Sequence, residues 1–90
     1  MITAAQMRAA RALLGIDQAK LAELSGVSLA TIQRMEASEG QVRGIVESLS
    51  RVVAALKTAG VDLIGDYERS DHGGRGVRLR EAVGPTGRPN

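Results

Sequence analysis

The stretch LAELSGVSLATIQRME, residues 21–36, holds two helix-forming segments separated by Ser25, Gly26 and Val27. Apolar residues recur at helical spacing on both sides of this break, so without it the segment could form one long helix. Glycine readily adopts the left-handed conformation that ends a helix, and Ser28 is suited to cap the next one. The sequence therefore predicts two short helices that meet at a sharp turn.

One helix-start signal occurs three times in the first third of the chain. A capping residue follows an apolar residue and precedes another by four positions, which is the hydrophobic staple. The three sets are Ile2-Thr3…Met7, Ile16-Asp17…Leu21 and Val27-Ser28…Ile32. Gln6 lies three residues after Thr3 and completes a capping box. We expect helices at about 3–14, 17–25 and 28–37, the first two ended by Gly15 and Gly26.

The later part of the chain changes its hydrophobic period. A fourth helix is predicted at about 43–59 from an apolar stripe that comprises Ile45, Val46, Leu49, Val52, Val53 and Leu56. Gly60 ends this helix, and Val61 is placed to pack against Leu56. Val61-Asp62-Leu63 and Val77-Arg78-Leu79 alternate apolar and charged residues, which predicts two short strands. We divide the chain into a domain at 1–60, a β-hairpin at 61–81 and a disordered tail at 82–90.

Composition narrows the class of protein. The 90 residues include one Tyr but no Phe or Trp, so the core must be aliphatic, and the fold expected is mainly α with four helices and a short C-terminal β-hairpin. There is no cysteine for a disulfide or a thiolate metal site, and no apolar run approaches the roughly 20 residues that cross a bilayer. We expect a soluble cytoplasmic, nucleoid-associated protein. The net charge of +2 does not by itself identify a partner.

Several residue patterns that could carry chemistry fall short of a site. His72 is the sole histidine, and zinc requires about four ligands. Gly73-Gly74-Arg75-Gly76 is not followed by Lys and Ser or Thr, so it is not a phosphate-binding loop. Tyr67 alone forms no stacking platform for single strands. We expect no metal, no cofactor and no enzymatic activity.

The glycine turn between two stapled helices is typical of a helix-turn-helix unit, in which small Ala22 permits close approach. Its internal seam comprises Gln18, Leu21, Ala22, Gly26, Val27, Ile32 and Met35, which leaves Leu29, Ala30, Gln33 and Arg34 on the outer face. The alternative is an ordinary helical bundle in which two helices meet at a glycine turn.

The run DQAKLAELSGVSLATIQRMEASEG, residues 17–40, resembles the phage-repressor and Cro-like (XRE-type) helix-turn-helix family. That family's pattern is an N-cap, Gln, Leu-Ala, Gly-Val-Ser, then Ile and Glu, and the similarity covers about residues 3–60. The resemblance implies a transcriptional regulator that binds a specific sequence of double-stranded DNA through its third helix. It further implies a homodimer, and we expect a repressor.

The resemblance places the third helix in the major groove. Gln33 would read adenine through its amide, whereas Leu29 and Ala30 would contact a thymine methyl. Leu29 departs from the polar residue that is common in the family at this place. Thr31 would bond a phosphate or a base edge. Arg34 would bind guanine or phosphate, or would be a solvated charge.

Other residues would position the domain on the DNA backbone. Gln18 would bond a phosphate or brace the recognition helix at Leu29, unless it is merely solvated. Ser28 is first of all a cap, with a phosphate within reach. Gln41 and Arg43 would contact the backbone before helix 4.

Arg11 and Glu36 resemble a buried family salt bridge, and with Ala22 and Gly26 they are assigned structural roles. Arg8, one turn before Arg11, is expected to be an exposed charge.

A lone hairpin is marginal in water, so residues 61–81 must pack on another surface. We expect them to form a dimer interface together with helix 4, through Val61, Leu63, Ile64, Val77 and Leu79. The alternative is a hairpin folded back on its own monomer. Two other functions remain open: an antitoxin-type DNA-binding protein whose segment 61–90 binds a toxin, and a purely structural dimerisation domain.

Overall fold

The structure, a computed structural model, describes residues 2–42, 44, 46–65 and 73–80. Within these ranges four helices precede two strands: α1 (Ala4–Leu14), α2 (Gln18–Ser25), α3 (Leu29–Glu36), α4 (Val46–Ala59), β1 (Val61–Ile64) and β2 (Gly76–Leu79). The strands pair antiparallel, with Val61 opposite Leu79 and Ile64 opposite Gly76. The predicted fold, mainly helical with a C-terminal β-hairpin, is confirmed.

The three predicted caps account for the starts of the first three helices. The Thr3 hydroxyl accepts from the Gln6 backbone N–H at 3.1 Å, and the Gln6 side chain accepts from the Thr3 N–H at 2.8 Å. Asp17 caps α2 and Ser28 caps α3. The second apolar member of each staple is fully buried; these residues are Met7, Leu21 and Ile32. Each cap therefore fixes both the start of a helix and the face that it buries.

Gly26 makes the turn between α2 and α3. Its φ is +70°, in the left-handed region, and its N–H donates to the Ala22 carbonyl at 2.9 Å. A Cβ at this position would lie 3.7 Å from the nearest Arg51 side-chain atom, which is an ordinary contact. The requirement for glycine therefore comes from the backbone conformation and not from crowding.

All four helices and β1 contribute to one aliphatic core. Its largest fully buried side chains are Met7, Leu21, Ile32, Met35, Val52, Leu56 and Val61. Val46 is the exception to the predicted stripe of helix 4, because 68% of its surface is exposed. Val46 is the first residue of α4, and the buried part of this helix begins at Leu49, so Val46 lies before it. Ile45 lies outside the described residues.

The β-hairpin folds back on its own monomer. Val61 is fully buried, and Leu63 and Val77 pack against the core. The Gln6 side-chain amide donates to the carbonyls of Ile64 and Gly76, each at 2.9 Å. The hairpin is thus joined to the N-terminal turn of α1 by packing and by two hydrogen bonds.

This placement corrects part of the predicted dimer interface. Val61 has no accessible surface, so it cannot contact a second copy. Leu63 and Val77 are partly buried because they pack against the core of their own monomer. Leu79 keeps 46% of its surface exposed, and Ile64 is half-buried. Leu79 is therefore the member of the predicted set most available to a partner, whereas Leu63, Ile64 and Val77 are all half-buried.

Other predictions concern residues outside the described ranges or properties of the whole chain. Arg43, Tyr67, His72 and the tail at 82–90 lie outside the described residues. None of the helices in the described ranges combines the length and hydropathy needed to span a bilayer.

Candidate nucleic-acid interface

Helix α3 has one buried face and one exposed face. Ile32 and Met35 are fully buried, and Glu36 is 5% exposed. On the other side lies the surface that we call the recognition face, which consists of Ser28, Leu29, Ala30, Thr31, Gln33 and Arg34. All of these except the half-buried Thr31 are exposed. The residues that were predicted to read bases therefore share one accessible surface of a short helix.

The C-terminal end of α3 is fixed by the carboxylate of Glu36. Arg11 of α1 donates to it twice, from Nε to Oε2 at 2.6 Å and from Nη2 to Oε1 at 2.7 Å. Gln18 of α2 donates from Nε2 to Oε1 at 3.1 Å. One carboxylate thus joins three helices, and the ion pair predicted between Arg11 and Glu36 is present. Paired, bidentate geometry of this kind holds both side chains in one orientation.

Arg8 adds a contact to the same place. Its side chain is exposed, as predicted, but Nη1 also donates to the backbone carbonyl of Glu36 at 2.6 Å. Carbonyls in the last turn of a helix lack partners within the helix, and a cation there also opposes the negative end of the helix dipole. This contact was not among the predictions, in which Arg8 was only an exposed charge. The spacing of Arg8 one turn before Arg11 was the available signal, because it places both side chains on the same face of α1.

Electrostatics favour the ionised form of Glu36. Burial opposes ionisation and raises its pKa, but hydrogen bonds from Arg11 and Gln18 and the charges of Arg11 and Arg8 together outweigh that effect. The pKa of Glu36 therefore lies below its ordinary value of 4.5. At neutral pH the carboxylate is charged and can accept all three side-chain bonds.

The prediction for Gln18 needs a correction in its detail. We expected it to bond a phosphate or to brace the recognition helix at Leu29. In the structure it braces that helix at Glu36, at the opposite end. The reason is that a short α2 places its first residue beside the end of α3, where Glu36 presents an oxygen with room for another donor.

The exposed side of α3 carries a chain of polar contacts. The Thr31 backbone N–H donates to Ser28 Oγ at 3.2 Å, and the Ser28 hydroxyl donates to Thr31 Oγ1 at 2.9 Å. Arg34 Nη2 donates to the same Thr31 oxygen at 3.1 Å. Ser28 is therefore a helix cap, as predicted, and Arg34 is folded back along the helix by one turn.

The segment after α3 is held by the N-terminus of the chain. Ala4 N–H donates to the Gly40 carbonyl at 3.0 Å, and Val42 N–H donates to the Ile2 carbonyl at 2.9 Å. Gln41 lies between these two contacts and its side chain is exposed. This fixed, solvent-facing position is compatible with the backbone contact predicted for Gln41.

The recognition face bears no carboxylate. Its polar groups are hydroxyls, the Gln33 amide and the Arg34 guanidinium, while Leu29, with 41% of its surface exposed, and Ala30 are apolar. Amide and guanidinium groups can each make two hydrogen bonds to a purine edge in the major groove, and methyl groups can contact thymine. The face can therefore bind a polyanion and distinguish base pairs.

Comparison with known proteins agrees with this geometry. The family model described as helix-turn-helix matches residues 7–45, which run from α1 through α3 to the segment before α4. No curated protein shows a significant similarity to the chain. Residues 7–45 are therefore an XRE-type, phage-repressor and Cro-like helix-turn-helix domain, as found in DNA-binding transcription regulators.

Proposed function

We propose that the protein binds a specific sequence of double-stranded DNA by inserting the recognition face of α3 into the major groove, and that it represses transcription as a homodimer. The observation that carries this proposal is the contrast between the two sides of α3. The inner side is locked by Ile32, Met35 and the Glu36 contacts, while the outer side presents unburied groups. A rigid helix with an accessible polar face is suited to direct readout.

The side chains nearest the middle of the recognition face contact the bases. The Gln33 carbonyl can accept a hydrogen bond from the N6 amino group of adenine while its NH₂ donates to N7. Leu29 and Ala30 supply apolar contact with a thymine methyl. Their combination favours an A·T-containing segment in each half-site.

Groups around this face contact the phosphates and thereby position the domain on the DNA. Gln41 is exposed and can donate to phosphate oxygens, and Arg43 adds a charge in the same segment. Ser28 is also exposed, but its one hydroxyl hydrogen is directed to Thr31 Oγ1, so a phosphate contact by Ser28 would replace that bond. Gln18 is half-buried and already donates to Glu36, so a phosphate contact by Gln18 would use the second N–H of its amide.

The direct test begins with selection of bound duplexes from random DNA at a stated salt concentration. Gln33→Ala should then lose roughly 1–3 kcal/mol of discrimination at one base pair. Gln41→Ala is the matched control, because it also shortens an exposed glutamine but should weaken all sequences alike. Arg43→Ala should lower the slope of log affinity against log salt by about one. Unchanged discrimination in Gln33→Ala would remove Gln33 from the reading role.

The homodimer is proposed from the free edges of the hairpin. A two-stranded sheet leaves unpaired backbone groups on its outer edges, which favour pairing with another strand, and operators of such regulators place half-sites about 34 Å apart. Of the predicted contacts only Val61 is fully buried, and Leu79 is the most exposed. Deleting residues 61–90 would be a poor test, because it would also remove buried Val61 from the core.

Point substitutions test the dimer more cleanly. Leu79→Asp should lower the molecular mass measured in solution towards that of a monomer. Leu13→Asp on α1 is the control, since Leu13 is 43% exposed and Leu79 46%. Equal masses for both variants and the parent protein would exclude the hairpin edge as the interface.

Repression follows if the operator overlaps a promoter, because the bound protein then excludes the polymerase. A reporter controlled by the selected sequence should become more active when the protein carries Gln33→Ala. The antitoxin interpretation makes a different prediction, which is copurification with a small toxic protein.

A further inference from the structure

We propose that Thr31 holds the Arg34 guanidinium in place to read a guanine in the major groove. This inference rests on the proposed function and assigns a specific task to two residues of the recognition face. Thr31 acts as a positioning residue, and Arg34 makes the base contact.

The geometry starts from the cap of α3. Ser28 Oγ receives the Thr31 backbone N–H, and its own hydroxyl hydrogen is directed to Thr31 Oγ1 at 2.9 Å. A helical threonine can otherwise turn its hydroxyl to a carbonyl of the preceding turn. Here the Thr31 oxygen accepts from Ser28 and from Arg34 Nη2 at 3.1 Å. The hydroxyl is thus oriented as an acceptor for the guanidinium.

This contact moves the charge of Arg34 towards the beginning of the helix. Arg34 is the sixth residue of α3, whereas the N-terminal residues of a recognition helix contact base edges. Folding back by one turn brings the guanidinium alongside Thr31 in that N-terminal half. Ala30, four residues before Arg34, has only a methyl group, so no long side chain on this row separates the guanidinium from the groove floor.

The binding capacity of Arg34 remains largely unused. Arg11 is paired with Glu36, Arg51 with Glu47, and both Arg78 and Arg80 with Asp62. Among the described residues Arg34 has the neutral Thr31 hydroxyl as its partner instead of a carboxylate. A guanidinium has five N–H donors, so at least two remain for O6 and N7 of guanine.

A phosphate presents several oxygens and can be contacted from many directions, so a mobile arginine can reach it without being held by another side chain. A guanidinium held by a side chain that is itself capped has a defined direction, which suits the fixed positions of O6 and N7. The structure therefore favours guanine over phosphate as the target of Arg34.

The test is selection from random duplexes by five proteins: the parent chain, Arg34→Lys, Thr31→Val, Thr31→Ser and Thr58→Val. Thr58 is exposed on α4 and supplies the matched control. Circular dichroism checks that each variant is folded. The parent and Thr58→Val should enrich one guanine at a fixed position. Arg34→Lys should lower that preference roughly fivefold or more, since a good bidentate contact contributes about 5- to 160-fold discrimination.

The two Thr31 variants distinguish an effect of the Thr31 hydroxyl on Arg34 from an effect of the shape of the Thr31 side chain. Thr31→Val keeps the shape but removes the hydroxyl, so it should lose preference at the same guanine while other positions keep theirs. Thr31→Ser keeps the hydroxyl and should keep the preference. Uniform weakening on all sequences in Arg34→Lys or Thr31→Val would indicate a phosphate contact and overturn the inference, as would equal losses in the Ser and Val variants. If the parent enriches no sequence, the proposed function itself fails and this inference fails with it.

Discussion

Replacing Glu36 with glutamine should destabilise the protein far more than one lost surface charge would. Both carboxylate oxygens accept from Arg11, at 2.6 and 2.7 Å, and one also accepts from Gln18. A glutamine amide has one oxygen and one NH₂, so either orientation turns a donor towards an Arg11 donor. The substitution removes the charge and leaves one Arg11 N–H facing another donor.

The size of the effect follows from burial. Removing one partner of a buried ion pair costs about 3–5 kcal/mol. The side chain of Glu36 is 3% exposed but that of Arg11 is 19% exposed, so Arg11 can regain some water and the lower end applies. We expect the free energy of unfolding to fall by about 3 kcal/mol. For a domain of this size, that corresponds to roughly 12–24 °C in melting temperature.

Urea denaturation followed by circular dichroism measures this loss. Glu47→Gln is the matched control, because Glu47 pairs with Arg51 at 2.8 Å but its side chain is 71% exposed. That variant should change stability by no more than about 1 kcal/mol. Equal losses in the two variants would refute the reasoning that Glu36 joins the three helices.

The pH dependence supplies an independent check. Because the folded-state pKa of Glu36 is lowered from 4.5, its ionisation stabilises the fold fully above that value. This contribution is lost as the pH falls below 4.5 and through the folded-state pKa. Glu36→Gln lacks it, so the difference in stability between parent and variant should be largest near neutral pH and should shrink in acid.

Three further substitutions test the parts of the fold that support α3. Gly26→Ala should lower the free energy of unfolding by about 1–2 kcal/mol in urea denaturation, because alanine is strained at φ +70°. Ser28→Ala should cost about 1 kcal/mol in the same assay by removing the α3 cap, whereas Ser50→Ala on α4 should be nearly neutral. Gln6→Leu should cost about 1–3 kcal/mol, because the carbonyls of Ile64 and Gly76 lose their side-chain donor; a change smaller than that of Gln41→Leu would contradict this role.

Local sequence signals predicted the helices well because the caps act over a few residues. Thr3, Asp17 and Ser28 each specify a helix start through a bond to the backbone three positions later. The two strands could be predicted equally well, since the alternation of apolar and charged residues is a local property of the sequence. Gln6 was recognised as part of a capping box, but its amide also reaches the hairpin about 60 residues away.

Contacts between residues that are far apart in the sequence could not be predicted from such local signals. Nothing local to Val61 distinguishes a residue buried in its own core from one buried against a second copy. Val46 fits the apolar stripe of α4, yet it is exposed because the buried part of that helix begins only at Leu49. Arg34 has an exposed position in any helical model, but its contact with Thr31 depends on the orientation of the Ser28 cap.

The central claim is that the exposed side of α3 meets the DNA. The most direct measurement is a titration of the isotope-labelled protein with its selected duplex, followed by NMR of backbone amides and of the side-chain amides of glutamine. We predict the largest shifts at residues 28–34 and around Gln41, with small changes on α4. Shifts concentrated on α4 or the β-hairpin, with residues 28–34 unchanged, would contradict the account.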